Sequence, residues 1–156
     1  MNGKGAIDMT LEERQKAAPR EACGYCMGGE LLGAFGIKIC DLSVSQLILF
    51  KEQSHPGRCI VAYKDHVSEI TDITEAERNA FFADVHRAAK AIHAAFHPEK
   101  LNYGAYGDTG CHLHMHLVPK YKDGFEWGGV FAMNPGKVFL SDKEYADMIE
   151  KIKAAL

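Results

Sequence analysis

The chain has 156 residues, 47% of them apolar and 25% charged, a composition that suits one conventional core without disulfide staples and excludes a disordered segment. Its net charge is -3, with 18 Lys and Arg against 21 Asp and Glu, and it has no basic run, so the attraction that drives binding to polymeric nucleic acid is missing. No stretch approaches the roughly 20 apolar residues that span a bilayer, Met1 to Asp8 carries no export signal, and five cysteines point to thiols or metal ligands in a reducing, cytoplasmic setting.

Thr10 and Glu13 are spaced as a capping box, which predicts a short helix ending before Pro19. Ala22 to Gly36 is rich in Gly and Cys and reads as a loop. From Ile37 to Phe50 two apolar stretches flank Ser43-Val44-Ser45, the pattern of a β-hairpin. His55-Pro56-Gly57 marks a turn, and Cys59 to Tyr63 reads as a buried strand. A second capping box, Thr74 with Glu77, opens a long helix in which Phe81, Phe82, Val85, Ala88, Ala89, Ile92 and Phe96 recur at helical spacing until His97-Pro98. Leu101 to Tyr106 and His112 to Tyr121 are strand candidates, and a third box, Ser141 with Glu144, starts a final helix with Tyr145, Met148, Ile149 and Ile152 inward. Cys40, Cys59 and Cys111 sit in apolar strand contexts, as small core residues do.

In Cys111-His112-Leu113-His114-Met115-His116-Leu117-Val118 polar and apolar residues alternate strictly. A strand's period of two sends the three imidazoles to one face and Leu113, Met115 and Leu117 to the core. Three rings with ordinary pKa values of about 6.5 repel one another's charge, so at least one stays neutral and nucleophilic near neutral pH. A neutral imidazole can attack phosphorus and form a phosphoramidate that water later breaks. Gly107-Asp108-Thr109-Gly110 lies just upstream, where backbone amides and the Thr109 hydroxyl are placed to hold phosphate oxygens. The rival reading is metal binding, since two histidines spaced HxH on a strand also form a ligand pair.

Cys23-Gly24-Tyr25-Cys26 has the CxxC spacing that lets two sulfurs reach one tetrahedral zinc. No second CxxC exists, so His66 and one of the triad histidines would have to complete a Cys₂His₂ set. A redox pair and two unliganded thiols are the alternatives.

His112 to Val118 has the form H-φ-H-φ-H-φ-φ and resembles the signature of the histidine triad (HIT) superfamily. Pro56 to His66 resembles that family's Pro-Gly-His-x-Leu-Val-x-Pro-Lys-x-His segment, and Cys23-x-x-Cys26 resembles the cysteine pair of its zinc-containing members. The resemblance implies an α+β fold: an antiparallel sheet of about five strands, one long helix and a C-terminal helix, in a single unit over 1-156 with a leader over 1-21, a core over 22-120 and an extension over 121-156. It implies nucleotidyl hydrolase or transferase chemistry at the α-phosphate of dinucleoside polyphosphates or nucleoside phosphoramidates, usually in a homodimer. On this resemblance His114 is the nucleophile, His112 and His116 flank it, and Cys23, Cys26, His66 and His112 hold a structural zinc, with no cofactor needed for the chemistry.

The chain departs from the family pattern in places. Arg58 stands where a fourth histidine is common and is a candidate phosphate ligand, and Asp108 and Thr109 stand where Gln and Ser are usual. Asn102 resembles an upstream asparagine at the phosphate end, and Glu52 is a candidate for the acidic ribose contact. Trp127, the single tryptophan, falls where family members set substrate choice; it is expected over the leaving-group side, at a partner subunit or in the core. Two other functions stay open: a metal-dependent hydrolase with all three histidines as ligands, and a nucleotide-binding regulatory module with little turnover.

Overall fold

The computed structural model describes residues 9-156; the reading of Met1 to Asp8, and the start of the leader with it, lies outside the described residues. Three capping boxes form where the spacing requires them. Thr10 caps α1 (Leu11–Ala17), Thr74 caps the 22-residue α4 (Glu75–Phe96), and Ser141 caps α5 (Asp142–Ala155). In each the capping side chain accepts from the third helical amide while the glutamate there accepts from the cap's own N–H, satisfying donors that the helix leaves open.

Five strands make one antiparallel sheet in the order β1-β2-β3-β5-β4. They are β1 (Gly36–Asp41), β2 (Ser45–Phe50), β3 (Cys59–Tyr63), β4 (Lys100–Gly104) and β5 (His114–Lys120). The expected hairpin is β1-β2, its turn held by the buried Asp84 carboxylate, which accepts from the amides of Ser43 and Val44 and from Ser45 Oγ at 3.1, 2.8 and 2.7 Å. Between β2 and β3 the Pro56-Gly57 turn needs glycine: φ is +92°, and a Cβ there would stand 2.6 Å from the Phe96 ring.

Alternate strand residues build two layers. On one face Leu47, Leu49, Cys59, Val61, Leu113 and Leu117 pack against Phe81, Val85, Ala88 and Ile92 of α4 and Tyr145 and Ile152 of α5. The other face carries Ile48, Phe50, Ile60 and Ala62, covered by Leu32, Tyr25 and Phe35. The register sets His114 opposite Ala62 and His116 opposite Ile60, so these two histidines belong to the second face, away from the long helix.

The structure differs from the sequence reading in several ways. Ala22 to Gly36 is not a plain loop but holds two short helices, α2 (Gly24–Met27) and α3 (Gly29–Gly33). Phe82 is 46% exposed; next to Phe81 it stands a hundred degrees further round the helix. The triad strand begins at His114 rather than His112, because Leu113 turns its N–H to the Val67 carbonyl. After β5 the chain runs from Glu126 to Leu140 without helix or strand, as a strap tied to the sheet. Glu52 accepts from the amides of Lys137 and Val138 at 3.1 and 3.0 Å, Gln53 N donates to the Val138 carbonyl, and Lys120 Nζ donates to the carbonyls of Glu126 and Gly129. The Tyr145 hydroxyl accepts from Leu140 N. Among the described residues, no helix is long and apolar enough to cross a membrane.

Candidate active site and metal centre

The chemistry-bearing side chains line up along the start of β5. His114 Nδ1 lies 2.7 Å from the His112 carbonyl oxygen. A carbonyl only accepts, so Nδ1 carries the proton and Nε2 keeps its lone pair. The ring lines a cavity of about 530 Å³ whose walls include Gly107, Asp108, Thr109, Gly110 and His112. A Cβ at Gly107 would lie 3.9 Å from His114 Cε1, which puts this loop against the ring. α1 also lines it through Arg14 and Ala17, with Arg14 paired to Asp72 at 2.9 Å.

Burial pushes the His114 ring below its ordinary pKa against the opposing pull of the His112 carbonyl. It pushes His116 down to about 3, helped by His114 and Arg58, and His112 down to about 4 against the pull of the Tyr63 carbonyl. Desolvation of the charged form is the leading cause in all three. Each ring is therefore neutral near neutral pH; the spacing suggests this of at least one ring, through mutual repulsion, whereas burial is the larger cause in all three.

At one end of the triad, Cys23, Cys26, His66 and His112 bring four donor atoms within 4.8 Å of one another. His112 Nε2 faces the Tyr63 carbonyl at 2.7 Å and His66 Nε2 faces the Ala18 carbonyl at 2.9 Å. Both rings thus donate from Nε2 and turn the Nδ1 lone pair towards the sulfurs, 3.3 to 3.4 Å away. Zinc bonds of about 2.1 Å to nitrogen and about 2.3 Å to sulfur put tetrahedral ligand atoms roughly 3.5 Å apart, so the set fits such an ion. Burial and the neighbouring Cys23 push the Cys26 thiol up to about 12, so paired thiolates call for a cation between them.

At the other end His116 is 3% exposed and Arg58 is fully buried. Arg58 Nη2 stands 3.3 Å from His116 Nδ1. Its guanidinium lies over the Phe50 ring at 4.2 Å and the Phe131 ring at 5.2 Å, and Nη1 donates to the Ala132 carbonyl of the strap.

Thus His112, His114, Asp108 and Thr109 share the cavity, whereas His116, Arg58 and Trp127 do not line it; His116 stands behind His114, with ring centroids 5.1 Å apart. Asn102 sits on β4 opposite Val118, beside a second cleft with Tyr103, Tyr106 and Phe131. Trp127 is 44% exposed in a turn. The Glu52 carboxylate is occupied by Ser54 and the strap amides. The sequence reading missed Tyr25, which packs on His112 and His114 with ring centroids 4.9 Å from each; its place inside the CxxC was the available signal. It also missed Phe131 and Glu126, and no local pattern marks either. Glu126 accepts from His55 Nε2 at 2.8 Å and from Ala132 N, locking the strap next to Phe131.

Comparison with known proteins agrees with this geometry. The family model of the HIT domain matches residues 39-123. The chain is 30% identical over 118 residues to the Protein hit of Bacillus subtilis (strain 168), covering 71% of this chain and 79% of that protein. It is 32% identical over 81 residues to an AP-4-A phosphorylase of Mycobacterium tuberculosis, 48% of this chain but only 38% of that protein. Among solved structures, a Zn-bound histidine triad family protein from Mycobacterium smegmatis superposes with a TM-score of 0.62 at 21% identity, covering 87% of this chain and 94% of that one. With its motif leading into β5, its five-stranded sheet and the matching family model, the chain belongs to the histidine triad (HIT) family.

Proposed function

We propose that the chain is a nucleotidyl hydrolase or transferase in which His114 attacks the α-phosphate of a dinucleoside polyphosphate or nucleoside phosphoramidate. One observation carries the reading: the His112 carbonyl holds the His114 Nδ1–H at 2.7 Å, which leaves the Nε2 lone pair on a ring that lines the cavity. Nucleophilic attack needs such an unprotonated, oriented nitrogen. Thr109 and the backbone of the Gly107 to Gly110 loop, on the same cavity, would take the phosphate oxygens, and His116 would donate to the reacting group. The AP-4-A phosphorylase relative supports a nucleotide polyphosphate as substrate.

Cys23, Cys26, His66 and His112 would hold zinc. A closed set of four protein ligands is the pattern of a structural ion, which here would tie α2 and the chain after β3 to the triad strand. The Zn-bound structural neighbour supports that identity. A hydrolytic metal held by all three triad histidines fits poorly, because His112 turns its free nitrogen to the sulfurs and His116 Nδ1 meets a guanidinium. A homodimer belongs to the same reading, and sedimentation decides it.

The test is a single turnover of α-labelled diadenosine polyphosphate, quenched in alkali and examined for label on the protein. Wild type should carry label; His114→Ala should carry none and lose at least about a thousandfold in kcat/KM. Turnover of wild type without label would end the covalent reading.

A further inference from the structure

We infer that Arg58 is a positioning residue that fixes His116 as the neutral Nε2–H tautomer, so that the site releases anhydride leaving groups in preference to amines. The consequence for leaving groups rests on the nucleotidyl reading above; the tautomer does not.

Arginine has five N–H donors and no acceptor. With Arg58 Nη2 at 3.3 Å, His116 Nδ1 must receive, so the ring's single proton sits on Nε2. Nothing lets the guanidinium retreat. It is fully buried, clasped between Phe50 and Phe131 and tied to the Ala132 carbonyl. Its Nε finds no partner among the described residues, so the guanidinium's hydrogen bonds there are those of Nη1 to the Ala132 carbonyl and of Nη2 to His116 Nδ1 and Met133 Sδ. Charging His116 would set an imidazolium N–H against a guanidinium N–H in a poorly solvated space, two donors and two like charges face to face. The titration directions agree: burial brings Arg58 down to about 10, still protonated at neutral pH, while His116 at about 3 is not.

A neutral Nε2–H can lend a hydrogen bond but cannot readily hand over a whole proton. When His114 Nε2 bonds to the α-phosphorus of an anhydride, the bridging P–O bond breaks and its electron pair leaves with a weakly basic phosphate oxygen, which needs no proton. When the substrate is a phosphoramidate, the P–N bond breaks and the nitrogen must gain a proton, drawn from solvent where His116 does not supply one, to depart as an amine. In both cases water then attacks phosphorus, the N–P electron pair returns to His114, and the water's proton passes to solvent. The difference lies wholly in the leaving group.

Two readouts test this. In ¹⁵N-histidine protein, with His116 assigned by loss of its signals in His116→Asn, wild type should show Nδ1 unprotonated and Nε2 protonated across neutral pH, and Arg58→Ala should show mixed tautomers. A protonated Nδ1 in wild type overturns the inference whatever the activity. In kinetics, kcat/KM for adenosine 5′-phosphoramidate relative to diadenosine tetraphosphate should be low in wild type and in Arg58→Lys. It should rise on the order of a hundredfold in Arg58→His, the scale of one general acid. A ratio unchanged in Arg58→His, with that variant folded, overturns the leaving-group consequence. If wild type turns over neither substrate, the nucleotidyl reading fails, and the spectrum alone decides the role of Arg58.

Discussion

His112 and His116 stand four residues apart, both buried and both neutral, yet their Nδ1 atoms meet opposite company. That of His112 faces two thiols and the neighbourhood of a second imidazole; that of His116 faces a cation wedged between two phenyl rings. Between them His114 has the reverse tautomer, with Nδ1 protonated and Nε2 free. The alternation H-φ-H-φ-H aligns three identical side chains, but which nitrogen each presents is set by partners distant in sequence: Tyr63, Cys23 and Cys26 at one end, Arg58 at the other. The contrast teaches that the motif supplies the rings and the surrounding fold supplies their protonation.

Three measurements would break or sharpen this contrast. The largest effect is expected from Phe131→Ala, which removes a buried ring from the arginine end at a cost of about 3–5 kcal/mol and should leave bound metal unchanged. Denaturant unfolding with metal analysis reads both, and a loss below about 1 kcal/mol would mean that the clasp on Arg58 is not packed as described. Next comes removal of the ion by a chelator. If metal is held at a hundredfold over its Kd, stripping should cost about 3 kcal/mol, seen as a lower Tm that returns when zinc is restored. A Tm indifferent to chelation would mean that the four side chains hold no stabilising ion.

The smallest effect concerns pH. His116 has its folded pKa depressed to about 3 from an ordinary value of about 6.5, so below pH 6.5 the unfolded chain binds the extra proton and the folded chain refuses it. Stability from this ring is complete above 6.5 and falls as pH drops, by at most about 1.4 kcal/mol per unit, until the folded pKa is reached. Unfolding of wild type and His116→Asn between pH 7 and 5 should show the steeper fall in wild type. Parallel curves would mean that His116 is not held neutral by its surroundings.

Much of the fold was legible because its signals are local. Thr10, Thr74 and Ser141 each stand three residues before a glutamate, and that spacing alone closes a capping box. The alternation after Cys111 placed Leu113 and Leu117 in the core, and the CxxC with His66 and His112 converges as its donor types suggested. What escaped depends on tertiary partners. Glycines made Ala22 to Gly36 read as loop, although two turns of helix form there without side-chain caps. Arg58, placed at the phosphate from its position in the Pro-Gly segment, is drawn instead between Phe50 and Phe131, and Phe131 sits in a stretch with no periodicity at all. Glu52 looked like a ribose contact because it is acidic and near the hairpin, but strap amides more than 80 residues away occupy it.

The strap has a consequence for how freely this chain can change. Its anchors Glu52, Gln53, Lys120, Arg58 and Tyr145 lie outside it, and they hold it mostly by main-chain atoms: the amides of Lys137, Val138 and Leu140 and the carbonyls of Glu126, Gly129, Ala132 and Val138. Main-chain atoms are the same whatever the side chain. Apart from Glu126, Phe131, Met133 and Leu140, whose side chains themselves make contacts, and Gly128 and Gly136, whose backbone lies in the left-handed region, residues 126-140 can vary while the path stays fixed, which makes the strap a mount on which surface chemistry beside the triad can be rewritten without unsettling the sheet below.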